Sequence, residues 1–273
     1  MHSSSNPVPR WDLDHVPYKD IDLDQVRARE DLYYMVAGAS FVEIASDLYT
    51  DNLIRYFEDD PEVVDWLRSK WQLEEVRHGH ALRGYVQHVW PEFDWEHAYR
   101  NFFDEYSRLC TLDELEPTRG LEMAARCVVE TGTATFYHAL SEHAVEPVLA
   151  GVAARIRAEE VGHYKYFFRF FNKYSDLESL GRWRVLGAIK RRVLEARQSD
   201  ADCALWHVYT ATHGEAANKE EFRLLCRRLG KQLQQRYPMS LATKMLLKPL
   251  DLPGPVTRAI QGPLARASAW LLR

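Results

Sequence analysis

The chain has 273 residues, of which 46% are hydrophobic and 12% aromatic, and a formal net charge of −5. This composition can bury a large core, which excludes a disordered or low-complexity protein. No run of 18 or more uncharged apolar residues occurs, so we expect no membrane-spanning helix. Basic residues do not interleave with a nucleic-acid-binding module, so we expect no nucleic-acid partner.

Helical patterns cover nearly all of the chain. Residues 1–25 form a polar N-terminal lead, and residues 26–175 form a predicted four-helix bundle in which prolines open several helices. Residues 176–273 hold accessory helices and a C-terminal segment that its prolines break up, all packed on the bundle. The predicted fold is therefore all-α. The predicted helices cover 24–57, 61–89, 94–109, 117–144, 147–173, 177–198, 201–213 and 215–236.

The N-terminal lead and the cysteines indicate a cellular location. Residues 1–25 lack the apolar segment of a signal peptide, so we expect no export. The four cysteines are scattered and form no Cys-x-x-Cys pair, which is typical of reduced cytosolic thiols. We therefore expect a cytoplasmic protein. The cysteines are Cys110, Cys127, Cys203 and Cys226.

Two Glu-x-x-His strings, beginning at Glu75 and Glu160, indicate a metal site. Each follows a glutamate in an apolar helical stretch: Glu75 comes 32 positions after Glu43, and Glu160 comes 30 positions after Glu130. Residues three apart share one helix face, so a carboxylate and an imidazole can point at one centre. One Glu from each of two helices and Glu-x-x-His from two others is the ligand set of dinuclear four-helix bundles. The six candidate ligands are Glu43, Glu75, His78, Glu130, Glu160 and His163.

A pair of metal ions explains these glutamates better than chance does. One Glu-x-x-His string is expected by chance in a chain this long, but two strings with matched upstream glutamates are not. Buried carboxylates need a counter-charge, which two divalent cations supply; salt-bridged core carboxylates are the alternative. We predict two iron ions that alternate between Fe²⁺ and Fe³⁺, although manganese or a mixed iron–manganese pair would use similar ligands. We expect Glu75 and Glu160 to bridge the ions.

Three further residues are candidates for the site. Glu74 and Glu159 each precede a ligand glutamate, where they could accept the second N–H of a ligand histidine or face solvent. Thr133 lies three residues after Glu130 on the same face. Its hydroxyl is a candidate catalytic group for dioxygen or proton delivery, and an ordinary core threonine is the alternative. Nearby aromatic residues could line a slot for an apolar substrate.

The motif Glu74-Glu75-Val76-Arg77-His78-Gly79 resembles the Glu-Glu-Asn-Arg-His-Gly signature of the soluble acyl-carrier-protein desaturases. The resemblance spans roughly residues 30–175 and includes all six candidate ligands, with Thr133 on the threonine position beside the dioxygen site. It implies a ferritin-like fold, a homodimer, a ferredoxin-type electron donor and a long acyl thioester substrate. Gly162 stands where the family has an arginine in the second motif.

The expected function is therefore oxidation of C–H bonds by dioxygen at a di-iron site, with an apolar or acyl substrate that a carrier could hold. A hydroxylase or monooxygenase of another small molecule would use the same ligands, and a ferritin-like ferroxidase or iron-handling protein is a third possibility. A radical-generating small subunit is disfavoured, because Leu82 occupies the position of its tyrosine.

The C-terminal tail and two basic runs each allow two interpretations. The tail over residues 241–273 combines leucines and Trp270 with basic residues, so it could lie on a membrane surface; packing at a subunit contact is the preferred interpretation. The basic runs at 190–192 and 227–231 could face an acidic partner, but a solvated helix face is favoured.

Overall fold

A computed structural model describes residues 11–195 and 200–271, and within them the chain is helical without a strand. The all-α prediction is confirmed. Short 3₁₀ turns and loops join the helices. The helices are α1 (Leu23–Val26), α2 (Glu30–Ile44), α3 (Ser46–Tyr56), α4 (Pro61–Trp66), α5 (Gln72–Val89), α6 (Trp95–Tyr106), α7 (Arg119–His143), α8 (Pro147–Glu178), α9 (Arg182–Glu195), α10 (Asp200–His213), α11 (Lys219–Gln234), α12 (Met239–Leu247) and α13 (Gly254–Leu271).

Two helix pairs form the centre of the fold. Helix α7 packs along α8, and α2 packs along α5, while α5 also contacts α8. Three residues join α7 to α8, so these two helices run antiparallel. Buried aromatic and aliphatic side chains, such as Phe41, Tyr85 and Phe167, fill the space around the pairs. The outer helices α9 to α12 cover them, with α9 and α12 against α7 and α10 against α2.

The predicted helix over 24–57 is interrupted. It consists of α1, α2 and α3, with a break between α2 and α3 at Ala45. No proline or glycine marks this break. It lies where α2 comes very close to α5: a Cβ atom at Gly79 would stand only 2.7 Å from the backbone nitrogen of Ile44. Gly79 therefore allows the approach that brings the end of α2 against α5.

The predicted helix over 61–89 also has two parts. A single π-helical turn, Leu67–Trp71, joins α4 to α5. Such turns insert an extra residue into the hydrogen-bond register and occur often at functional sites. Here the turn ends four residues before Glu75, so it sets the rotation of α5 at the start of the Glu-x-x-His string.

The two ends of the chain pack on the core where they are described. Trp11, Val16 and Ile21 are buried, so the second part of the N-terminal lead belongs to the core; residues 1–10 lie outside the described part. In the tail, Leu246 and Leu247 pack against the core. The side chains of Trp270 and Leu271, and Leu272 as a whole, fall outside the described residues.

The expected breaks in the tail are partly wrong. Pro249 and Pro253 lie between α12 and α13, as expected, but Pro263 lies inside α13. A proline removes only one backbone donor, and the turns on either side can continue the helix. Across the described ranges, no helix is both long enough and apolar enough to cross a membrane.

Candidate metal centre

Four helices deliver the six candidate ligands to one buried point. Glu43 comes from the last turn of α2, and Glu130 from the middle of α7. Helix α5 carries the first Glu-x-x-His string and α8 the second. None of the six side chains belongs to a residue that exposes more than 7% of its surface. The structure therefore brings together all the residues that the sequence proposed as ligands.

The donor atoms form two overlapping groups of four. Glu43, Glu75, His78 and Glu160 make one group, and Glu75, Glu130, Glu160 and His163 make the other, with the donor atoms of each group within 4.8 Å of one another. Because Glu75 and Glu160 belong to both groups, they stand where carboxylates that bridge two ions would stand. Each group offers three carboxylates and one imidazole, a hard donor set that suits iron or manganese.

The unpartnered atoms of the site show that it fits a pair of cations. His78 and His163 both turn Nδ1 towards the carboxylates, at 3.1 Å from Glu160 Oε1 and 3.0 Å from Glu75 Oε1 respectively. Within the described part of the chain, both Nδ1 atoms, and one oxygen each of Glu43, Glu130 and Glu160, are buried without a hydrogen-bond partner. Buried polar atoms normally have partners. Two divalent cations would supply these partners and balance four carboxylate charges.

Each ligand histidine is oriented by a carboxylate of the other motif. His78 Nε2 lies 2.8 Å from Glu159 Oε2, and His163 Nε2 lies 2.9 Å from Glu74 Oε2. Glu159 and Glu74 thus hold the two rings crosswise, with Nδ1 facing the centre. Hydrogen bonds of this kind fix the orientation of metal-binding histidines and increase the donor strength of the ring.

Arg77 contacts both of these carboxylates, but unequally. Its Nη2 donates to the two oxygens of Glu159 at 2.8 and 2.9 Å, whereas it stands 4.0 Å from Glu74. The guanidinium also lies over the ring of Trp11, which stacks against His78. At the matching place in the second motif, Gly162 has no side chain that could do the same.

Two aromatic residues donate hydrogen bonds to the outer glutamates, Glu43 and Glu130, which each belong to one donor group only. The Tyr137 hydroxyl donates to Glu43 Oε1, and the Trp71 indole donates to Glu130 Oε1 at 3.2 Å. The helical period did carry a signal, because Tyr137 lies seven residues after Glu130 and Trp71 four before Glu75. The period gives the face of each helix, however, and not the partner across the bundle.

Thr133 contacts the site at Glu160, one of the two glutamates that belong to both donor groups. Its hydroxyl donates to Glu160 Oε2 at 2.7 Å and also approaches the backbone carbonyl oxygens of Glu130 and Val129. The side chain is partly buried and bonds beyond its own helix, and it can hold a proton beside a candidate ligand carboxylate.

Burial sets the proton affinities of the metal-free site. Burial raises the pKa of Glu130 to about 8; the neighbouring His163 ring opposes this rise and the charge of Glu160 adds to it. Burial likewise raises the pKa of Glu75. Burial opposes ionisation of Glu160 too, but the neighbouring rings of His163 and His78 lower its pKa. For His78 and His163, burial is outweighed by the surrounding carboxylates, which raise the pKa of both rings.

A further group of possible metal donors, Glu105, Cys203 and His207, joins α6 and α10. It is more exposed, has three donor residues and shares none with the buried centre, so it lacks the features that mark the main site.

Comparison with models of known protein families gives no match for this chain. Comparison with curated proteins gives none either. The resemblance to the desaturases therefore rests on the motif residues, and the case for a metal site rests on the buried donor geometry.

Proposed function

We propose that this protein is a dinuclear iron oxidoreductase that uses dioxygen to oxidise C–H bonds of an apolar, fatty-acyl substrate. One observation carries the proposal: two buried groups of four donors share Glu75 and Glu160, while both imidazoles are oriented crosswise by carboxylates. An accidental cluster of core carboxylates would need neither the shared pair nor the matched orientation.

The helix arrangement supports a ferritin-like four-helix bundle. In that interpretation α2, α5, α7 and α8 are the bundle helices, and each contributes inward-facing ligands. Helices α9 to α13 are then the additional C-terminal helices. The same four helices cover the part of the chain that resembles the acyl-carrier-protein desaturases.

A bound di-iron pair would supply the redox chemistry with dioxygen, and the protein would supply orientation and proton control. Glu74 and Glu159 hold the histidine rings with Nδ1 inward. Tyr137 and Trp71 each fix one oxygen of an outer glutamate and leave the other oxygen free for an ion. Thr133 keeps a hydroxyl proton next to Glu160, where it could be passed towards the reacting oxygen.

The surroundings favour an apolar substrate. The rings of Trp66 and Trp71 lie with their centroids 6.3 and 6.5 Å from that of His163, and Phe167 packs on both indoles. This wall excludes water and suits a hydrocarbon chain. A thioester-bound acyl group, a ferredoxin-type donor and a homodimer follow from the resemblance and are part of the proposal. A cytoplasmic location is also proposed, supported by the four free cysteines.

An activity assay that contains every reactant tests the proposed function. The full chain, loaded anaerobically with ferrous iron, would receive reduced ferredoxin and a long-chain acyl-carrier thioester, and then dioxygen. Desaturation removes two hydrogens from the chain and, with two electrons and two protons, reduces dioxygen to two waters. Mass spectrometry of the acyl group would show the loss of two hydrogens.

The other outcomes are equally distinct. An acyl group that gains one oxygen atom would identify a hydroxylase instead. Unchanged acyl chains together with ferric mineral accumulating in the protein would overturn the oxidoreductase proposal in favour of iron handling. The Glu160→Ala variant, run in parallel, shows whether any product depends on the buried centre.

A further inference from the structure

A basic cavity lies between the C-terminal end of α7 and the outer face of α11. Its volume is about 450 Å³, within the range of small-molecule sites. Every charged side chain that lines it is basic: Arg227, Arg228, Lys231 and Arg236, together with His143. Two glutamines and a leucine complete the lining. No carboxylate lines this cavity, although the chain as a whole is acidic.

Two of these cations have no counter-charge in the part of the chain that the structure describes. Within the described residues, neither Arg227 nor Lys231 makes an ion pair, although they stand one helical turn apart on the same face of α11. Arg228 pairs with the exposed carboxylate of Glu30 at 2.6 Å. Arg236 is oriented by its Nε, which donates to the Glu142 carbonyl oxygen at 3.1 Å. Like charges one turn apart repel each other unless an anion lies between them.

The inner wall of the cavity contains two buried polar atoms without a partner in the described part of the chain. His143 is 8% exposed, and its Nε2 lies 2.6 Å from Asp31 Oδ2 and 3.0 Å from Arg29 Nη2. The other ring nitrogen, Nδ1, is buried without a hydrogen-bond partner among the described residues, and so is Oε1 of Gln232. Buried polar atoms in such a position normally meet a ligand or an ordered water.

We propose that this cavity binds a diphosphate group carried by a small molecule. Several cations around one volume require a ligand with more than one negative charge, and arginine forks match phosphate oxygens better than any other side chain does. The leucine and the glutamines can then contact the organic part of the ligand. The proposal does not depend on the proposed oxidation chemistry.

The distance of the cavity from the candidate metal ligands limits which molecules could carry the diphosphate. His143 follows Glu130 by 13 residues on α7, which is about 20 Å along the helix axis at the rise of an α-helix. A diphosphate bound there cannot touch the metal ligands. It belongs either to the head group of an elongated coenzyme thioester, whose acyl chain points elsewhere, or to a free nucleoside diphosphate.

Calorimetric titration of the full chain in phosphate-free buffer tests the proposal, with inorganic pyrophosphate, ADP and coenzyme A as the probes. We expect one site per chain for at least one probe, with an affinity that falls as salt is added. Arg227→Gln combined with Lys231→Gln should weaken binding by about tenfold or more. The matched control, Arg184→Gln with Lys190→Gln, removes the same charge from the exposed side of α9 and should leave binding unchanged.

The probes also separate the sources. Coenzyme A binding more tightly than ADP would assign the site to a coenzyme head group, and equal binding of ADP and coenzyme A would assign it to a nucleoside diphosphate. The proposal is overturned if no probe binds at millimolar concentration and low salt, or if the α9 control loses as much affinity as the α11 variant. Circular dichroism of both double variants establishes that they fold, and His143→Asn tests the inner wall separately.

Discussion

The two halves of the candidate metal centre have the same types of donor residue but different surroundings. In the half formed by Glu43 and His78, the outer glutamate accepts a tyrosine hydroxyl, and the carboxylate behind the histidine is neutralised by Arg77. In the half formed by Glu130 and His163, the outer glutamate accepts an indole N–H. There, the carboxylate behind the histidine stands 4.0 Å from the same arginine.

This difference has a chemical consequence. A carboxylate without a close cation pulls harder on the N–H of its histidine, which makes that imidazole a stronger donor. We therefore expect the two metal positions to be inequivalent, with the stronger imidazole in the His163 half. The cause is one position in each motif, Arg77 in the first and Gly162 in the second.

The largest effect should come from removing a shared ligand. Glu75→Ala or Glu160→Ala should abolish binding of both ions, because each residue belongs to both donor groups. Glu43→Ala or Glu130→Ala should remove one ion and keep the other. Metal analysis after anaerobic loading measures this, with the exposed Glu58→Ala as the control. If the bridging and outer variants kept equal amounts of metal, the assignment of Glu75 and Glu160 to both positions would be wrong.

The second largest effect should come from replacing Glu159 and Glu74, the carboxylates that orient the two histidines. Glu159→Gln and Glu74→Gln should each lower metal affinity, by about 10- to 100-fold. The loss should be greater for Glu74, since this carboxylate stands 4.0 Å from Arg77 and therefore strengthens its imidazole more than Glu159 does. Competition with a chelator of known affinity gives the values. A greater loss for Glu159 would contradict the proposed inequality of the halves.

Lowering the pH should weaken metal binding in the His163 half. Burial raises the pKa of Glu130 to about 8 in the metal-free chain, so this group is protonated below that pH and an incoming ion must displace the proton. Metal affinity in the His163 half should therefore rise with pH below about 8. Because the pKa values of Glu75 and His163 are raised as well, the rise should be at least about tenfold per pH unit, which is the change for one displaced proton. Anaerobic titrations in weakly buffered solution at several pH values would measure the released protons; a pH-independent affinity would contradict the expectation.

A smaller difference between the two halves should come from the residues that donate hydrogen bonds to Glu43 and Glu130. Tyr137→Phe and Trp71→Phe each remove one hydrogen bond to a carboxylate, a loss of about 1.5–3 kcal/mol when the acceptor is charged. Tyr137→Phe should weaken the Glu43 position and Trp71→Phe the Glu130 position. Stepwise metal titration of the two variants distinguishes the positions, and loss of the same ion in both would show that these donors do not act on separate halves.

The smallest structural effect belongs to Thr133→Val. The substitution keeps the size of the side chain but removes the proton beside Glu160. Metal content should stay at the wild-type level, while the fraction of consumed dioxygen that appears in product should fall. An unchanged fraction would reduce Thr133 to a structural residue.

Much of the site followed from the sequence, because Glu-x-x-His and an upstream glutamate fix a helix face in each case. The same periodicity placed Glu74 and Glu159 beside the ligands, but it could not reveal that each serves the histidine of the other motif. That depends on how α5 and α8 face each other. The hydrogen bond from the Tyr137 hydroxyl to Glu43 could not be predicted for the same reason.

The fold was predictable where local signals exist. Prolines marked the starts of α4 and α8, whereas the break at Ala45 carries no proline or glycine and lies where α2 approaches Gly79, far away in sequence. The π-turn at Leu67–Trp71 likewise has no residue signature, since it changes only the hydrogen-bond register. Long-range packing, and not local propensity, decides both features.

The most direct test of the dinuclear centre is Mössbauer spectroscopy of the full chain after anaerobic titration with isotopically enriched ferrous iron and then oxidation. The geometry predicts that two ions bind per chain and that the oxidised pair is magnetically coupled, with a diamagnetic ground state, as expected for irons joined by Glu75 and Glu160. Fewer than two ions, or oxidised iron with the signature of isolated paramagnetic centres, would contradict it.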